Sequence, residues 1–148
     1  MNERIATFIE GHPDAAMITL RPDGTSCMAR IELAIVDGRI WSSGRPGLVR
    51  TGNLRRDRRC SLFVFGPHPV WVGLETEVTM LDGPDAPNLH VRLMRARHKD
   101  TAPAGIIMGH DDKLGHDRAY SEDEYLEHIR TEQGLIYQFE VLRAYGNY

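Results

Sequence analysis

The residues of this 148-residue chain best suited to chemistry lie between Trp41 and Phe65, and their chemistry is that of holding an anion. Seven arginines fall from Arg39 to Arg59 against one acid, Asp57. A predicted strand brings the hydroxyls of Ser42 and Ser43 to a glycine loop, Gly44-Arg45-Pro46-Gly47, which opens a predicted helix over 48–56. Arg50, Thr51 and Asn53 occupy the early turns of that helix. Free backbone N–H groups at a helix start, together with guanidinium forks, suit a phosphate monoester or diester. A basic, solvated turn is the competing reading.

Other catalytic signatures are missing: no GxSxG, HExxH, GxGxxG or EF-hand loop occurs. Gly47 and Gly52 have P-loop spacing, but Asn53-Leu54 stands where that motif needs Lys-Ser/Thr, which excludes such an NTPase. His110-Asp111-Asp112 and His116-Asp117 combine groups able to ligate zinc; the surrounding Gly105, Gly109 and Gly115 favour a solvated loop, and no metal is assigned. Cys27 and Cys60 lack a CxxC partner and read as buried thiols.

The elements that would position these residues can be traced along the chain. Asn2 caps a short amphipathic helix with Ile5, Phe8 and Ile9 on one face. Strands over 15–20 and 27–36 are joined through Asp23-Gly24, and Asp37-Gly38 turns the chain into a strand over 39–43, giving a meander with tight turns. Strands follow over 60–65 and 70–81, where Gly73 marks a bulge or a close approach. Asp85 caps a helix with Leu89, Leu93 and Ala96 on its face, and Ser121 with Glu124 forms a capping box for a second. Leu135 to Tyr145 alternates as the last strand. Residues 101–120 are long for a connection and predict a flexible lid over the pocket. The count is six strands and four short helices in one domain, 1–148, a mainly β fold with antiparallel strands forming a barrel.

An apolar content of 41% supports a single core, and no apolar run is long enough to cross a bilayer as a helix. The opening residues lack a basic, then apolar, leader, so a cytoplasmic location is expected. The net charge of −3 argues against a surface that tracks nucleic acid, and the acidic stretch from Asp111 to Glu127 reads as a solvated face.

The run I-W-S-S-G-R-P-G-L-V-R-T-G-N-L-R-R-D-R-R-C-S-L, residues 40–62, resembles the signature of the pyridoxamine 5′-phosphate oxidase-like superfamily, flavin- and deazaflavin-binding split β-barrels. The flanking I-T-L-R-P-D-G-T-S and V-W-V-G-L-E-T-E-V-T extend the resemblance over most of residues 15–81, while the C-terminal half agrees in layout alone. The short chain is similar to the actinobacterial branch that uses coenzyme F-420, an 8-hydroxy-5-deazaflavin, with FMN as the alternative cofactor.

The resemblance implies that Arg50 holds the cofactor phosphate with Thr51 and Asn53 as flanking donors and Ser43 facing it. It further implies that Met28, Arg30 and Glu32 run beside the tricyclic ring, that Trp71 reaches the cofactor near a homodimer seam, and that Arg45, Arg55 and Arg56 attract an acidic cofactor tail. Two positions depart from the pattern: Gly52 replaces the usual arginine before the asparagine, and Arg58 the usual proline after Asp57. The implied activity is hydride transfer to or from a conjugated small molecule such as a quinone, tetrapyrrole or nitro compound, with no catalytic side chain assigned. A non-catalytic cofactor carrier and a nucleic-acid binder using Arg50, Arg55, Arg56, Arg58 and Arg59 are the other functional classes.

Overall fold

Asn2 accepts a hydrogen bond from the Ile5 amide (2.9 Å) and starts α1, Glu3–Gly11, in the computed structural model, which describes residues 1–148. The chain continues through β1 (Asp14–Leu20), β2 (Ser26–Glu32), β3 (Ala34–Val36), β4 (Arg39–Gly44), α2 (Val49–Arg56), β5 (Arg59–Phe65) and β6 (Trp71–Leu81). It ends with α3 (Ala86–Arg97), β7 (Ile106–Asp111), β8 (His116–Ser121), α4 (Glu122–Glu132) and β9 (Leu135–Asn147). Every strand pair is antiparallel, and the main sheet runs β2-β1-β5-β6-β9-β4-β3.

The strand expected over 27–36 is two strands on opposite edges of that sheet. β2 pairs with β1 and β3 pairs with β4, so the chain itself carries the sheet from one edge to the other and curls it into a split barrel. The change of partner occurs at Leu33, whose amide donates to the Pro13 carbonyl (2.7 Å) and whose side chain is buried. The Glu32 carbonyl beside it accepts from the Ser42 hydroxyl (2.9 Å) and the Arg97 guanidinium (2.7 Å).

Alternation fills the barrel. Met17, Leu62, Leu74, Tyr137 and Phe139 point inward with Ile5 and Ile9 of α1 against them. A second apolar cluster lies outside, where Val91, Leu93 and Met94 of α3, Ile129 of α4, Trp41 and Ile136 pack with the β7–β8 hairpin. That hairpin occupies the segment expected as a flexible lid over 101–120: it borders a cavity, but as two paired strands rather than a long connection. Ile107 and Tyr120 face each other in register and are buried against the helices. The turn is closed by Asp111, which accepts from the Lys113 and Leu114 amides (2.9 and 3.2 Å), and by Gly115 at φ +72°.

Further differences are local. Asp85 occupies the cap position of α3 without a side-chain hydrogen bond, and the buried face of that helix is Ala86, His90, Val91, Leu93 and Met94. Cys60 is buried, but Cys27, on an edge strand, is half-buried. The Ser121–Glu124 capping box forms as expected. Gly73 is a close approach: a Cβ there would lie 2.6 Å from the Tyr145 ring, and the bulge falls two residues on, between Glu75 and Thr76.

Gly44 ends β4 against the buried Tyr137 ring, where a Cβ would come within 2.3 Å of the ring carbon Cζ. The Tyr137 hydroxyl meets the Thr51 hydroxyl, so this contact also seats α2. Gly44→Ala is therefore expected to overpack the barrel and cost about 1–3 kcal/mol, read as a fall in Tm of several degrees; an unchanged thermal melt would contradict the packing described.

Candidate functional site

α2 begins without a side-chain cap and without an acid in its first turn. The Thr51 and Gly52 amides share the Leu48 carbonyl (3.1 and 3.3 Å), which leaves those of Val49 and Arg50 without a backbone partner. A helix start in this state carries partial positive charge and donors for an anion. It opens on a cavity of about 510 Å³ between the end of β4, α3, α4 and the β7–β8 hairpin.

Four of the residues that the resemblance assigned to the cofactor meet at this cavity, Glu32, Ser43, Arg45 and Arg50, and His110, Asp112 and Asp117 of the hairpin line it too. Arg50 makes no ion pair, and its Nε is buried without a partner. Arg45 is different, since Asp112 (3.2 Å) and Glu132 (3.7 Å) both neutralise it and tie the glycine loop to the hairpin and α4.

Thr51 and Asn53 are corrections. Both are buried: Thr51 donates to the Arg45 carbonyl (2.7 Å) and touches Tyr137, while Asn53 donates to the Thr19 hydroxyl (3.1 Å). The second and fourth residues after Val49 fall on the barrel side of α2, so they fix the helix rather than flank an anion at its start.

Met28, Arg30 and Glu32 share one side of β2, so they lead from the cavity mouth along the outer face of the sheet. Arg30 pairs there with Asp14 (3.1 Å), and Met28 is 75% exposed. Trp71 lies across the same face in an aromatic group with Phe63 (centroids 5.5 Å apart) and Tyr145 (6.2 Å), beside Phe65. It does not line the cavity.

The remaining arginines are engaged locally. Arg55 pairs with Asp82 (3.2 Å), Arg58 with Glu77 (3.8 Å) and Arg59 with Asp57 (2.8 Å), while Arg56 donates to the Leu20 carbonyl. The Arg59 guanidinium and amide hold the Asp57 carboxyl down to about 2.

Sequence reasoning missed the far wall. His90, Met94 and Arg97 stand at i, i+4 and i+7 on α3, and Tyr125, His128 and Glu132 face them from α4. The available signal was a histidine and an arginine in the period of an otherwise apolar helix face. His90 is 3% exposed and its Nε2 lies 2.8 Å from the Leu135 carbonyl. Burial, then the charges of Arg97 and His128, push His90 down to about 4, so Nε2–H donates and the ring is neutral. Burial likewise raises the Tyr125 phenol and works against the Arg97 charge.

Solved structures share this architecture. The conserved hypothetical protein Rv2991 of Mycobacterium tuberculosis superposes with a TM-score of 0.71 at 20% identity, over 99% of this chain and 84% of its own. A candidate pyridoxamine 5′-phosphate oxidase from Listeria innocua gives 0.64 at 10% identity, over 97% and 95%. A structure named F420 reductase gives 0.62 at 13% identity, over 98% of each chain. The chain therefore has the pyridoxamine 5′-phosphate oxidase-like split β-barrel fold. No family model and no curated protein matches the sequence.

Because His90 is held neutral when folded, the unfolded chain binds its proton first as pH falls. Stability is expected to drop between about pH 6.5 and about 4, by on the order of 3 kcal/mol, and to level below. Urea melts across this range should show a shallower slope for His90→Gln; identical slopes would refute the buried neutral imidazole.

Proposed function

We propose that this chain binds a flavin-type cofactor through its phosphate at the start of α2 and acts as an oxidoreductase on a conjugated small molecule. The observation that carries this reading is Arg50, an unpaired cation with a buried, unpartnered Nε beside the free amides of an uncapped helix. A phosphate there would satisfy donors that the protein leaves open. Ser43, on the same cavity wall, adds a hydroxyl.

From that anchor the Glu32, Arg30 and Met28 side of β2 leads outward, across Ala16 of β1, to Phe65. Small residues flanked by apolar and aromatic side chains offer a flat ring a place to lie. Such a cofactor supplies hydride chemistry at its ring when bound. The contribution of the chain is to neutralise the phosphate, orient the ring against β2 and keep water from one ring face. Phe63, Phe65 and Tyr145 are exposed on this face, and a second copy of the chain would cover them together with the ring.

The cofactor proposed is coenzyme F-420, with FMN as the alternative. The match in fold to a structure named F420 reductase over 98% of each chain supports a deazaflavin. The test is fluorescence titration of the purified protein with each cofactor. Binding of either, weakened about tenfold or more by Arg50→Ala and unchanged by Arg59→Ala, is the expected result, since Arg59 serves Asp57 alone. Equal loss in both variants would overturn the phosphate assignment, and binding of neither cofactor would overturn the function.

A further inference from the structure

The wall of the cavity opposite Arg50 carries a charge that the protein does not satisfy. Arg97 projects from α3 into the space under the β7–β8 hairpin, and one of its terminal nitrogens donates to the Glu32 carbonyl (2.7 Å). Its Nε is buried without a partner, and its guanidinium makes no ion pair. Glu32 and Asp117 favour its charge from a distance, but neither reaches it. Two turns back on the same helix, His90 spends Nε2 on the Leu135 carbonyl and leaves Nδ1 buried with no partner.

Buried polar groups are normally paired, and a buried cation without a counter-ion is costly. The residues that carry these unpartnered atoms, Arg97 and His90, line the same cavity as Arg50, whose Nε is likewise buried without a partner. The neighbours do not fill the gap: Glu132 is taken by Arg45 and His128, and Asp117 by His110. Two cation-forming groups on one helix, with no carboxylate within ion-pair distance of either, describe a site that lacks its anion.

We propose that Arg97 and His90 form a second oxyanion subsite, which takes a carboxylate or phosphate group of a ligand in the cavity. One oxygen accepts from Arg97 Nε–H. A second oxygen accepts from His90 Nδ1–H, formed when the imidazole takes up one proton from solvent as the anion arrives. The anion thereby reverses the electrostatic repulsion that Arg97 exerts on a protonated His90. The subsite requires neither a flavin nor the assignment of Arg50.

The test is calorimetric titration of the purified full-length protein with inorganic phosphate and, separately, with succinate, alongside nitrogen NMR of the histidine rings. The subsite predicts saturation by at least one probe, heat that varies with buffer because a proton is taken up, and a shift of His90 Nδ1 from unprotonated to protonated. Arg97→Gln should weaken binding about tenfold or more. Arg92→Gln, on the exposed side of the same helix and paired with Asp37, should leave it unchanged. Saturation by phosphate alone assigns a phosphate group, and by succinate alone a carboxylate. If Arg97→Gln does not fold, because Glu32 loses its donor, the His90 signal of the wild-type protein decides. No saturation, or saturation with His90 unprotonated, overturns the subsite. Failure of flavins to bind while phosphate still protonates His90 would overturn the oxidoreductase reading alone.

Discussion

The break between β2 and β3 governs both the barrel and its cavity. At Leu33 one continuous segment stops pairing with β1 and starts toward β4, so the first and last edges of the sheet are covalently joined. The cost of such a break is a backbone carbonyl outside the ladder, that of Glu32. It is met by Ser42 from β4 and Arg97 from α3. The same hydrogen bonds that permit closure therefore bring α3 against the end of β4, and the cavity is the space left between them.

A second constraint sets the other wall. Tyr137 fills the barrel where Gly44 has no side chain, and its hydroxyl reaches Thr51, so the start of α2 is fixed from below. The polar residues of α2 divide accordingly. Thr51 and Asn53 are consumed in seating the helix, and Arg50 is left facing the cavity with its charge unmatched. Rigid supports of this kind hold donors in place before a ligand arrives, which reduces the ordering cost of binding.

Much of this was legible in the sequence where the signal is local. The Asn2 cap, the Asp23-Gly24 and Asp37-Gly38 turns, the Ser121–Glu124 capping box and the alternation of β5 and β9 depend on neighbours a few residues apart. The long segment over 27–36 could not reveal its break, because Leu33 departs from pairing for reasons of closure that arise only in three dimensions. The hairpin at 106–121 was obscured by its glycines, which suggested mobility, whereas Gly109 lies against the Tyr125 ring and Gly115 makes the turn. At the site, Arg50 was legible from its place after a glycine loop. Thr51 and Asn53 looked equivalent to it because residue type does not tell which side of a short helix faces the barrel. Arg97 and His90 were hidden among the leucines and methionine of α3.

The position of the phosphate in a crystal structure of the protein with a bound flavin-type cofactor decides whether α2 is the anion site. The phosphate is expected between Arg50 and the first amides of α2, with the ring extending over the Glu32, Arg30 and Met28 side of β2. A phosphate held away from α2, or a ring bound on the far side of the sheet with Arg50 untouched, would contradict that placement.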